Sequence, residues 1–203
     1  MATKGRRLLA CINYPRTFCV FLCVLCSKQK HLILKDVARW NQINKNSFGL
    51  FESLNWYLTY YKEFRNLLIH RFKHPHRSAI QYIITRLLWK PMESLYIFTK
   101  DIGGGLYIQH GFATIITAEK IGENCRIYQQ VTIGYKGELA PVLEDNVSVT
   151  CGAKVLGGIT MGKNSLAAAG AVVLKDVPEN AIVGGVPAKI IGYKDENNLD
   201  FQG

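Results

Sequence analysis

Histidine is scarce in this chain of 203 residues: there are five, and only His110 lies in the second half. A zinc site built on solenoid histidines needs three of them, so zinc hydrase chemistry is excluded there. The six cysteines form no pair of CxxC motifs and no Cys/His cluster at zinc spacing. That leaves reduced, buried thiols as the ordinary reading, and no metal. The uncharged run over 18–26 has nine residues, well short of the roughly 20 that a bilayer span needs. Basic residues precede it, but no small-residue cleavage site follows. It reads as a buried helix, with an interfacial helix as the second option. No glycine-rich phosphate loop precedes the helices, which excludes a fused nucleotidyltransferase. Acidic residues are the last shortage: residues 1–100 hold 17 Lys/Arg against 4 Asp/Glu, and residues 101–203 hold 8 against 11. The net charge of +10 therefore belongs to the first half. An anionic membrane surface, a charged glycan or nucleic acid would each suit it, as would an unevenly charged solvated surface.

What the chain has in quantity is a six-residue period. Leu143, Val149, Val155, Met161, Ala167 and Val173 keep it without a slip, and all are aliphatic. Four residues after each comes a small or β-branched side chain: Val147, Ala153, Ile159, Ser165 and Ala171. Ile121, Ile127 and Ile133 carry the register upstream, with Cys125 and Val131 in the small slots. Six fits neither a helix nor a two-faced strand. It fits a chain that turns a corner every six residues and stacks coil upon coil, a parallel β-helix. The period begins near Ile102 and breaks twice. From Ile108 to Ile115 the step is seven, around His110 and Gly111, with Leu106 and Phe112 read as small-slot residues. From Ile133 to Leu143 it is ten, so residues 135–141 must leave the coil as a loop.

Upstream the periodicity is helical. Leu54, Tyr57, Leu58, Tyr61, Phe64, Leu68 and Phe72 predict one amphipathic helix over 52–73. Further helices are expected over 34–45 and over 78–90, the latter stopped by Pro91. His70, His74 and His76 lack an accompanying carboxylate or thiol and read as a solvated basic corner. Residues 1–15 read as loosely packed. The chain thus divides into a helical region over 1–98, a β-helix over 99–192 and a disordered tail over 193–203.

A stack of flat coils has no deep pocket of its own. A ligand must bind between neighbouring subunits or under the projecting loop, and such a groove suits a long, thin molecule. His110 can act as a general base, since a neutral imidazole takes a proton from a hydroxyl near pH 7. By itself it can equally be a corner histidine with no role.

The segments GGGLYIQHGFATIITAEKIGENCRIYQQVTIG and GAKVLGGITMGKNSLAAAGAVVLKDVPENAIVGGVPAKIIG resemble the serine O-acetyltransferase branch of the hexapeptide-repeat acyltransferases, over about residues 100–192. They also resemble relatives that acetylate surface polysaccharides. The resemblance implies a left-handed coil, a homotrimer that can pair into a dimer of trimers, acetyl-CoA as donor and a cytoplasmic enzyme, with membrane-peripheral contact as an option. His110 matches the family's catalytic histidine. Glu93 and Asp101 are the nearby candidates for the acid that orients it, since the aligned position holds Leu95. Gly134, Cys151 and Ala169 match positions whose amides hold the pantetheine arm, and Lys175 and Lys189 lie where basic residues meet the nucleotide phosphates. Two positions depart from the serine enzymes. Ala140 precedes Pro141 where they carry a second histidine, and Gln109 precedes His110 where they carry an aspartate. A sugar hydroxyl needs no partner for an amino-acid carboxylate, so a saccharide is the expected acceptor. Serine, as in cysteine biosynthesis, is the alternative. A non-catalytic scaffold with a basic binding module is the reading from a different class, and nucleic acid is disfavoured as a partner.

Overall fold

The computed structural model describes residues 9–74 and 78–194, which fall into two compact units, Met1–Glu93 and Ser94–Gly203. The first is helical: α1 (Tyr14–Leu25), α2 (Lys30–Ile43), α3 (Leu50–Tyr60), α4 (Lys62–Lys73) and α5 (Ala79–Leu88). Residues 9–12 add a helical turn before α1, where loose packing was expected. The core gathers around Trp40, whose ring meets Tyr57, Tyr61 and Phe64 edge-on at centroid distances of 5.4, 5.7 and 5.0 Å. Beneath it, Arg71 and Asp36 form a two-pronged buried ion pair at 2.8 and 2.9 Å.

The single helix expected over 52–73 is two, because Tyr61 is extended (φ −121°, ψ 99°). Arg65 secures the break: its Nε donates to Leu58 O at 2.6 Å and Nη2 to Thr59 O at 3.0 Å, satisfying carbonyls that α3 leaves open at its end. The apolar stripe runs on unbroken because Tyr61 still packs on Trp40. Two other expectations change. His70 is buried rather than solvated, its ring 5.0 Å from that of His74; His76 lies outside the described residues. The helix over 18–26 is only half buried: Val20, Cys23 and Val24 face inward, while Phe18, Leu22 and Leu25 face solvent. Among the described residues no helix is long and apolar enough to cross a membrane, and no cluster of three His, Cys, Asp or Glu could hold a metal ion.

The second unit is a β-solenoid, with fifteen short strands on three faces among the described residues. The first face is β1 (Leu95–Ile97), β4 (Thr114–Ile116), β7 (Thr132–Gly134), β10 (Lys154–Leu156) and β13 (Val172–Val173). The second is β2 (Asp101–Ile102), β5 (Lys120–Ile121), β8 (Val142–Leu143) and β11 (Thr160–Met161). The third is β3 (Tyr107–Ile108), β6 (Arg126–Ile127), β9 (Ser148–Val149), β12 (Leu166–Ala167), β14 (Ala181–Gly184) and β15 (Lys189–Tyr193). Each strand pairs in parallel with its counterpart one coil away, except that β15 returns antiparallel onto β14. The coil starts at Leu95, before the period shows in the sequence, because the first coil spends five residues between Ile97 and Ile102. At the other end β15 runs through Tyr193; residues 195–203 of the expected tail lie outside those described.

The inward residues Ile121, Ile127, Ile133, Leu143, Val149, Val155, Met161 and Ala167 have no exposed surface. One corner is made by a column of left-handed residues, Gly105, Asn124, Asn146, Asn164 and Asn180, with φ between 57° and 83°. Asparagine tolerates that conformation, and Asn164 Nδ2 donates to Asn180 Oδ1 at 2.9 Å. Beside it, a Cβ on Gly122 would lie 2.6 Å from the backbone of Glu144, so only glycine lets these coils stack. The loop over 135–141 closes on a bridge between Lys136 and Leu139 and lies over Gly157 and Gly158.

Candidate active site

The step at His110 is longer than the sequence suggests. Ile108 pairs with Ile127 and Ile116 with Ile133, so the step is eight residues where the coil below takes six. Ile116, not Ile115, points inward: Ile116 has no exposed surface, whereas Ile115 is 41% exposed and Phe112 is 45% exposed. The register recovers because the next step, Ile116 to Ile121, is five. A surplus of two residues followed by a deficit of one had read as a single slip.

Hydrogen bonds identify the surplus pair. At this corner Gln130 N donates to Phe112 O, Gly152 N to Gln129 O and Gly170 N to Cys151 O, all within 2.9–3.0 Å. Phe112, Gln129 and Cys151 are therefore equivalent, as are Ala113, Gln130, Gly152 and Gly170, whose φ values run from 51° to 72°. His110 and Gly111, at φ 63° and 56°, have no counterparts in the lower coils. They bulge out of the edge between the third and first faces. The imidazole is exposed and has no hydrogen-bond partner among the described residues.

Below His110 the same edge descends through Phe112, Gln129, Cys151 and Ala169. The carbonyls of Phe112, Gln129 and Cys151 accept from the coil below, but the amides of Gln129, Cys151 and Ala169 donate to no group among the described residues. Space is open beside the lowest of them: nothing lies within 4 Å of a Cβ placed on Gly170. An acceptor-bearing chain laid along the edge would meet a ladder of free N–H groups. Gln129 adds a second feature that the sequence reading missed. Its Oε1 is buried and accepts no hydrogen bond among the described residues, one coil below His110. A repeat pattern ranks Gln129 with every other corner residue, so no sequence signal marked it.

The remaining candidates are distributed as follows. Lys189 begins β15, opposite Gly184, at the foot of the His110 edge. Gly134 and Lys175 lie on the far side of the first face, and a Cβ on Gly134 would meet only Leu156, at 4.0 Å. The loop over 135–141 leaves from that same side, carrying half-buried Ala140. Asp101 is exposed on the second face, across the prism from the His110 edge and in register with Lys120, so its own chain does not bring it to His110. Glu93 ends the helical unit and pairs with Lys90 at 2.7 Å, which holds its carboxyl below the usual range. Leu95 is buried in β1. Cys125 is no nucleophile: burial pushes its thiol up to about 12, and Sγ donates to Glu144 O at 3.1 Å.

No family profile matches the chain. Over 110 residues, half of this chain and half of the relative, it is 41% identical to a serine acetyltransferase of Bacillus pumilus. It is 28% identical to that of Buchnera aphidicola subsp. Schizaphis graminum, across 94% of this chain and 85% of the relative. A crystal structure of serine acetyltransferase in complex with coenzyme A, from Brucella abortus strain S19, superposes with a TM-score of 0.59 at 28% identity, covering 87% of this chain and 73% of that one. The match thus spans about half the length of the Bacillus relative.

Proposed function

We propose that this chain, whose solenoid half is of the serine acetyltransferase family of hexapeptide-repeat transferases, moves an acetyl group from acetyl-CoA to a hydroxyl, with serine as the acceptor. The observation that carries the reading is the two-residue bulge, which lifts an exposed imidazole out at the head of a ladder of free amides. His110 takes the proton from the acceptor hydroxyl as its oxygen attacks the thioester carbonyl. A free amide of the edge donates to the oxyanion of the tetrahedral intermediate. The C–S bond then breaks, and the imidazolium returns its proton to the departing thiolate, so no acyl-enzyme forms. The amides of Cys151 and Ala169 suit the carbonyls of the pantetheine arm, and Gly134 leaves room across the face. Lys189 and Lys175 would meet the nucleotide phosphates. Asp101 does not share the edge, so His110 acts without that carboxylate from its own chain. A homotrimer would close the groove, with a neighbouring protomer as its second wall.

One observation favours a second acceptor. Gln109 and Ala140 stand where the resemblance called for an aspartate and a second histidine, so the charged groups suited to an amino-acid acceptor are missing. A saccharide hydroxyl would dispense with them. Thiol release from acetyl-CoA, followed with serine and with a panel of sugars, decides between the two. Serine-dependent turnover supports the first reading, sugar-dependent turnover alone replaces it, and release with neither acceptor defeats both.

A further inference from the structure

We propose that the outward stripes of α1 and α5 dock on an anionic lipid surface, lying in the boundary between headgroups and acyl chains. This is independent of the acetyl-transfer reading.

On α1, Phe18, Leu22 and Leu25 recur at steps of four and three on the side opposite Val20, Cys23 and Val24, and Ile12 extends the apolar exposure into the preceding turn. On α5, Ile80, Ile83 and Leu87 repeat at steps of three and four, and Ile80 and Leu87 are 74% and 80% exposed. Large apolar side chains at helical spacing normally face a core. Here Thr85 is the buried residue of α5, and the apolar side is bare. The two helices are antiparallel neighbours: Gln81 Nε2 donates to Cys23 O at 2.9 Å, and Arg16 donates to Leu88 O. Both stripes therefore belong to one adjacent pair of helices.

Charge selects the occupant. No Asp or Glu occurs before Asp36, and none occurs between Glu63 and Glu93, so both helices lie in stretches without acid. Arg86 lies on the exposed side of α5, exposed Lys28 and Lys30 follow α1, and Lys90, which pairs with Glu93, follows α5. Apolar side chains flanked by cations suit the interface of an anionic bilayer. The helical half as a whole holds 17 Lys/Arg against 4 Asp/Glu, so a second copy would add to the excess of cations that an anionic surface answers. At 12 and 10 residues the helices lie along the surface rather than cross it.

The test is sedimentation of the full chain with vesicles of phosphatidylcholine, alone or mixed with phosphatidylglycerol. Binding is expected only to the mixed vesicles, weakening as salt rises. Lys28→Gln, Lys30→Gln and Arg86→Gln should each lower partitioning about fivefold. Leu22→Ser, Ile83→Ser and Leu87→Ser combined should abolish it with the circular dichroism spectrum unchanged. Equal partitioning of this triple variant and the parent would overturn the proposal, as would no binding by the parent. So would a fall in the assembly size of the triple variant by light scattering without vesicles, which would give the face to a second copy.

Discussion

Deleting His110 and Gly111 together separates what the bulge does for the fold from what it does for chemistry. With the pair removed, Ile108 to Ile116 becomes a six-residue step, the length of Ile127 to Ile133 one coil below. Gln109 then falls opposite Tyr128, Phe112 opposite Gln129 and Ala113 opposite Gln130, and the bond from Gln130 N to Phe112 O already has that register. Thr114 Oγ1, which donates to Phe112 O at 3.1 Å, keeps its acceptor. The left-handed His110 costs about 1–2 kcal/mol in backbone strain, and the shorter unfolded chain has slightly less entropy to lose. The shortened protein should therefore unfold in denaturant with a free energy equal to the parent's or up to about 2 kcal/mol higher. Its thiol release from acetyl-CoA should fall by at least about a hundredfold, the lower end of what a lost general base costs. A loss of more than about 1 kcal/mol of stability would show that the bulge is structural. Undiminished turnover would remove His110 from the reaction.

His110→Asn keeps a residue that tolerates φ 63° and should leave the unfolding midpoint in place while kcat drops by about 10²–10⁴. Gln129→Leu removes a buried acceptor that has no partner among the described residues, so the protein should be as stable as the parent or up to about 1 kcal/mol more so; if Oε1 receives a substrate donor, turnover or KM must worsen, and unchanged kinetics would dismiss the role. Cys125 gives a pH prediction. Its thiol is raised from 9.0 to about 12 in the folded chain, so the folded state holds the proton more tightly. That contribution is intact below about pH 9 and is lost at about 1.4 kcal/mol per pH unit as pH rises toward 12. Cys125→Ala should flatten the stability curve over that window, and an identical slope in both proteins would contradict it. In the helical unit, Asp36→Ala removes both prongs of the buried ion pair with Arg71 and should cost about 3–5 kcal/mol in a denaturant melt, whereas Asp36→Leu with Arg71→Met should cost far less.

Legibility in the sequence followed how many residues share a signal. The aliphatic column from Leu143 to Val173 repeats one constraint six times, so both the period and its register could be read. The ten-residue step before Leu143 showed the loop for the same reason. The turn at His110 was located but miscounted. From Ile108 to Ile121 the total of thirteen allows a division into seven and six as readily as eight and five, and both Ile115 and Ile116 are isoleucines. Only the pairing of Ile116 with Ile133 decides, and pairing is a property of two coils rather than of one stretch of chain. The helix break at Tyr61 was hidden because its ring holds its place in the apolar stripe while its backbone leaves the helix. Gln129 was hidden by the opposite circumstance: its distinction is an unanswered oxygen, which exists only once the neighbours that fail to answer it are in place. A repeat makes its scaffold readable because neighbouring coils must agree. The candidate site residues on such a scaffold are those that depart from the agreement, and a departure is measured only against the coil it lies on. His110 could be found from sequence because it disturbs the count. Gln129 disturbs nothing but its own hydrogen bonding, so an unbonded buried acceptor on a regular edge is the mark by which further residues of this kind are to be sought.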